Sequence, residues 1–117
     1  MARVTTMAEM WWPLMDAPSV ETPWCAVCGK TGHIERHHMV RRSAGRLYRN
    51  GVEVPKPTIT LCGFGNASGC HGLAHQNRLH FKYEDGLLWY RLGEPMQYQR
   101  ALEMGGWVPL RRCGDEF

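Results

Sequence analysis

Long apolar runs are missing from this chain. No stretch of its 117 residues approaches the roughly 18 apolar side chains that a membrane-spanning helix needs, so no membrane partner is expected. The opening MARVTTMAEMWWPLM has one arginine, no extended apolar segment and no small-residue cleavage site, unlike a secretory leader. Internal repeats and low-complexity tracts are also lacking, and the length suits one domain of modest size. A strong charge imbalance is absent as well. Fourteen Lys and Arg against 11 Asp and Glu give a net charge of +3, too mild to imply a nucleic-acid partner by itself.

Turn formers and thiols, by contrast, are plentiful. Thirteen glycines and seven prolines imply many turns and short elements, and a small loop-rich chain often needs a staple. Five cysteines are available. The absence of a secretory start favours a reducing, cytoplasmic compartment, where clustered cysteines bind metal more readily than they form disulfides. Arg36, Arg41, Arg42, Arg46 and Arg49 fall within fourteen residues, with Glu35 as their near counter-charge. That run reads either as a solvated basic surface or as a strip that binds phosphates.

Along the chain, residues 1–22 read as an N-terminal arm. In it Met7, Met10, Trp11 and Leu14 could form a helical stripe ended by Pro13 and Pro18. PWCAVCGKTG is a turn, HIERHHMVRR a strand leading into a loop, and SAGRLYRNGVEVPKP a long polar connection. TITL is a short β-branched strand, CGFGNASGC a second Gly-rich turn, and HGLAHQNRLH a helix. RLHFKYEDGLLWYRL predicts a hairpin turning at Asp85-Gly86, with Phe81, Tyr83, Trp89 and Tyr90 packing across its strands. PMQYQRALEM predicts a helix that stops at Gly105-Gly106, followed by a tail. Trp11, Trp12 and Trp107 are expected in the core or an interface.

Cys25 and Cys28 make a C-x2-C turn, and Cys62 and Cys70 make a wider C-x7-C pair within glycines. Thiolates converging from two short turns are what a tetrahedral Zn²⁺ ion takes. A site closed by four thiolates has no open position for substrate, so zinc there is expected to be structural. The second pair also reads as two unrelated buried cysteines, and Cys113 as a free thiol or a minor core residue.

His71 and His75 are four apart in the expected helix, a spacing that puts two imidazoles on one face. His37 and His38 are adjacent and stand upstream of the first basic pair, Arg41 and Arg42. Zinc bound to the two cysteine turns would bring these histidine segments together. His33 and His80 are read as structural, and Glu35 and Arg36 as exposed ions.

The stretches CAVCGKTG, ERHHMVRRSAG, TITLCG and GCHGLAH, spread over roughly residues 24–80, resemble the HNH endonuclease family. CGFGNASGCHG looks like the glycine-rich variant of phage-encoded members. The resemblance implies an α+β fold: a zinc-stapled ββα-metal domain over residues 23–82. The arm over 1–22 precedes it, and a C-terminal hairpin and helix over 83–117 pack on the same domain. It implies His38 as general base, His37, His71 and His75 as ligands of a catalytic cation, and Cys25, Cys28, Cys62 and Cys70 as ligands of a structural zinc. Where the family carries its Asn, five residues before the third cysteine, this chain has Pro57. Thr58, Thr60, Asn50 and Asn66 are the candidates to stand in for it.

The chemistry fits those assignments. An imidazole with an ordinary pKa of about 6.5 accepts a proton from water near neutrality. A cation at the scissile phosphate offsets the charge growing on its oxygens. Imidazole ligands suit Mn²⁺, Ni²⁺ or Zn²⁺ alongside Mg²⁺. Arg41, Arg42, Arg46 and Arg49 would then grip the flanking DNA phosphates. The expected function is a metal-dependent DNA endonuclease or nickase, working in the host cytoplasm if phage-encoded. A second reading is a zinc-stabilised module of phage origin with weak or no catalysis. It would bind DNA, or bind another phage or host protein through the Trp-rich arm and the hairpin.

Overall fold

The computed structural model describes residues 12–40, 46–65 and 67–110, although the side chains of Trp12, Met15 and Arg49 are outside that description. The chain is a small mixed α/β structure of short strands and short helices around one hydrophobic cluster. In chain order the elements are α1 (Trp12–Met15), β1 (Ile34–His38), β2 (Leu47–Arg49), β3 (Val52–Val54) and β4 (Thr58–Cys62). There follow α2 (Gly69–His75), β5 (Leu79–Glu84), β6 (Leu87–Leu92), α3 (Tyr98–Glu103) and β7 (Val108–Pro109). Among the described residues no helix is long and apolar enough to cross a membrane.

β-Branched residues and leucine make β4 the centre of the molecule, with Ile59 and Leu61 fully buried. It pairs antiparallel with β1, setting Glu35 opposite Leu61 and His37 opposite Ile59. Because side chains alternate along a strand, Glu35 and His37 share the face of Ile59 and Leu61. His38 falls on the other face, opposite Thr58, beside Arg36 opposite Thr60. Arg36 holds that second face to the preceding chain, donating to Val20 O at 3.4 Å, to Thr60 Oγ1 at 3.4 Å and to the Thr58 hydroxyl.

The polar connection between β1 and β4 folds into its own hairpin, β2 with β3. Asn50 and Gly51 take its turn, both with positive φ (52° and 80°), as the favoured two-residue hairpin turn requires. Leu47 from this hairpin is fully buried and anchors it to the core. The expected second hairpin is present: β5 pairs with β6 through Asp85-Gly86, aligning Phe81 with Tyr90 and Tyr83 with Leu88. The segment expected as a tail adds β7 to β6, and Leu110 N–H donates to Leu88 O at 2.8 Å.

One further detail differs from expectation. Pro13 lies inside α1 rather than ending it. It sits in the first turn, where no backbone N–H donor is needed. The described part of the arm packs on the body, one of its two expected seats: Val20 bridges β4 in parallel and Leu14 is 1% exposed. α3 packs by Tyr98, whose hydroxyl donates to Phe81 O at 2.6 Å. That places the C-terminal helix on the same hydrophobic cluster as β4 and β5. Met7, Met10, Trp11 and Cys113 lie outside the described residues.

Candidate metal centres

Among the described residues, two groups of side chains could hold a metal ion, and each has its ligand atoms within 4.8 Å of one another: Cys25, Cys28, Cys62 and Cys70, and His37, His71 and His75. Both are built on β4 and its neighbours.

The first group is made by two turns. Gly29 N–H donates to Cys25 O at 2.9 Å and Cys25 N–H to Lys30 O at 3.0 Å, curling the C-x2-C knuckle. Ala26 N–H then bonds Thr60 O at 2.9 Å and ties the knuckle to β4. Cys62 ends β4 and Cys70 is the second residue of α2. The seven residues between these two would hold the thiols apart without a close backbone crossing at Gly63 and Gly69. Both have positive φ. A Cβ on Gly63 would stand 2.2 Å from Ser68 O, and one on Gly69 would stand 2.5 Å from Cys62 O. Only glycine allows that approach.

The sulfurs of Cys28 and Cys62 are 3.6 Å apart. A tetrahedral ion with metal–sulfur bonds of about 2.3 Å sets its sulfurs roughly 3.8 Å apart. Cys70 N–H also points at the Cys62 sulfur at 3.4 Å. The thiols polarise one another. A hydrogen bond from Cys70 holds Cys25 down to about 4, and the same bond, with burial, pushes Cys70 far up. Burial raises Cys28. Four negative charges so close together repel, so full ionisation requires a cation among them.

The second group joins β1 to α2. His71 and His75 are one helical turn apart on α2, with His71 8% exposed and His75 at the surface. The His37 ring lies edge-on to both, with centroids 5.1 Å from His71 and 5.5 Å from His75. The Nε2 atoms of His71 and His75 are 3.2 Å apart. Metal–nitrogen bonds of 2.0–2.1 Å at tetrahedral angles would put them about 3.3–3.4 Å apart. Gly65 flanks the pair: a Cβ there would stand 3.1 Å from His71 Cε1 and 3.3 Å from His75 Nε2.

Glu35, read from sequence as an exposed ion, instead reaches this cluster. Its Oε1 is 2.7 Å from His71 Nδ1 and accepts from Gly65 N–H at 3.1 Å, while its Oε2 is 3.0 Å from His33 Nε2. Hydrogen bonds from His33 and His71 hold its carboxyl down to about 2. The signal was present in the sequence, since Glu35 stands two residues before His37 in a strand and so on its face. Arg36 is likewise no idle ion, because it binds β4 and Glu21 (3.8 Å).

Three of the four expected imidazoles therefore gather; His38 stands at the end of β1 on the alternate face, outside the ligand set. His33 is stacked on exposed Phe64 (centroids 4.1 Å apart), and buried His80 contacts Asn77 O at 2.8 Å. Where the HNH resemblance leads one to expect an Asn, buried Pro57 offers its carbonyl to Met39 N–H at 3.0 Å, closing the chain just after His38. Thr58 and Thr60 spend their hydroxyls on Arg36, and Asn50 sits in the β2–β3 turn. Asn66 lies outside the described residues, as do Arg41 and Arg42 and the side chain of Arg49. Arg46 is exposed, 3.8 Å from Glu53. Comparison with known protein families, with curated proteins and with solved structures found no match to this chain.

Proposed function

We propose that this chain is a metal-dependent DNA endonuclease of the HNH type, nicking or cutting phosphodiester bonds at the His37–His71–His75 centre. The observation that carries the reading is the convergence of three imidazoles from β1 and α2 beside a four-thiol site. The thiols suit zinc and would close around it, so that such an ion would hold the β4–α2 junction rather than substrate. The imidazole centre has three protein ligands, and a divalent cation there (Mg²⁺, Mn²⁺, Ni²⁺ or Zn²⁺) would keep positions open for a phosphate oxygen. Such a cation supplies charge neutralisation at the phosphate and at the departing oxygen.

The residues of the chain do the rest. His38 adjoins the ligand His37 but is not one of the gathered three, which suits a general base. Its imidazole takes a proton from the attacking water. The new P–O bond forms as the opposite P–O bond breaks, and the departing oxygen is protonated from solvent. Arg46, with Arg41, Arg42 and Arg49, supplies salt-sensitive attraction to the DNA backbone.

The test is cleavage of supercoiled plasmid by the purified chain with each divalent metal or with EDTA, beside His38→Ala. Metal-dependent relaxation that His38→Ala abolishes supports the reading, and cutting that persists in the variant removes His38 as base. Pro57, which has no side-chain amide where the family has one, favours a second reading: a zinc-stabilised DNA- or protein-binding module. No cutting with any metal would favour it.

A further inference from the structure

We infer that Glu35 is a positioning residue of the histidine centre, fixing which nitrogen of His71 carries the proton so that the other faces the cation. The inference rests on the proposed metal role of His37, His71 and His75. Glu35 joins the centre to the loop beside it, through contacts with His71, Gly65 and His33.

An ionised carboxylate has no proton to give. At 2.7 Å from Glu35 Oε1, His71 Nδ1 must therefore be the N–H. A neutral imidazole with its proton on Nδ1 has its lone pair on Nε2, the atom 3.2 Å from His75 Nε2. The carboxylate thus selects the form of His71 that can bind a cation, and it adds negative charge behind the ligand. Such carboxylate–histidine pairs orient the ring and raise its basicity.

The same Oε1 accepts from Gly65 N–H at 3.1 Å. One oxygen therefore locks both the ligand and the loop lying across it, where a Cβ on Gly65 would touch both imidazoles. The second oxygen is held by His33, itself stacked on Phe64. Both Glu35 and His37 come from β1, two residues apart, so one strand sends a ligand and a brace to the same face.

The test uses the full chain with its thiol site loaded with zinc, as wild type, Glu35→Ala and Glu35→Gln. Long-range ¹H–¹⁵N NMR reads the His71 tautomer before any metal reaches the histidines, and calorimetric titration with Ni²⁺ then reads their affinity. Wild type should show the Nδ1–H form. Glu35→Ala should shift His71 toward the Nε2–H form and bind Ni²⁺ about 10- to 100-fold more weakly. Its thiol-bound zinc should stay unchanged. Glu35→Gln, whose amide oxygen still accepts, should keep the Nδ1–H form and recover part of the affinity. Wild-type His71 in the Nε2–H form, or Ni²⁺ affinity in Glu35→Ala within twofold of wild type, would overturn the inference alone. Failure of wild type to bind Ni²⁺ at the histidines would overturn the metal role of those histidines and, with it, this inference.

Discussion

Gly63→Ala isolates the backbone crossing that would let a pair of cysteines eight positions apart share one ion. Two costs add. An alanine at φ +88° sits in the left-handed region, at about 1–2 kcal/mol. Its Cβ would also stand 2.2 Å from Ser68 O, while an ordinary carbon–oxygen contact is more than 3 Å. Ser68 O is backbone, so the loop must retreat by about 1 Å, several times the roughly 0.2 Å within which metal–ligand distances hold. Gly86→Ala supplies the control. Its φ is +77°, but a Cβ there meets nothing within 4 Å, so it carries the strain without the displacement. Gly86→Ala should cost about 1–2 kcal/mol and leave the thiol-bound metal untouched. Gly63→Ala should cost at least about 1 kcal/mol more and weaken zinc retention tenfold or more. Thermal melts with and without a chelator, and zinc release to a chromogenic competitor, measure both. Equal melting and equal zinc retention in the two variants would refute the view that the Gly63–Gly69 crossing brings the thiols together.

Other outcomes follow from the same geometry. Tyr98→Phe should destabilise the chain by about 1–2 kcal/mol, because Phe81 O loses its buried donor; denaturant melts will show it. His71→Ala should abolish binding of the second cation while the thiol-bound ion stays, read as metal equivalents by elemental analysis. The Glu35 carboxyl should titrate near 2 by ¹³C NMR, against an ordinary 4.5. Since that pKa is depressed in the fold, its stabilising contribution is complete above about 4.5 and disappears as pH falls through 2. A midpoint near 4.5 would contradict the three hydrogen bonds that hold it. Cys25→Ser should lose both the bound metal and the cooperative melt, because Cys25 is 1% exposed at the join between knuckle and core.

Much of this arrangement is legible in the residues. TITL is β-branched and buried as β4, and Asp85-Gly86 makes the turn its dipeptide favours. The knuckle and the His71–His75 spacing are local patterns, so they survive folding unchanged. Asn50-Gly51 carries the same hairpin signal as Asp85-Gly86. Its flanking strands are three residues each, too short for alternation to register amid glycine and proline. β7 is a two-residue strand containing Pro109; proline cannot donate to a ladder, and an edge strand tolerates it. The period of two in β1 also carries more than an HH pair suggests: it sends Glu35 with His37 and sets His38 on the alternate face. The Gly63–Gly69 contact is long-range, and no spacing rule announces it.

The most direct measurement is anomalous diffraction from crystals of the chain soaked in Mn²⁺, with data collected at the zinc and manganese edges. A zinc peak is expected among the sulfurs of Cys25, Cys28, Cys62 and Cys70. A separate manganese peak is expected about 2.0–2.3 Å from nitrogens of His37, His71 and His75. A manganese peak elsewhere, or none, with the three imidazoles closed on one another, would contradict that expectation.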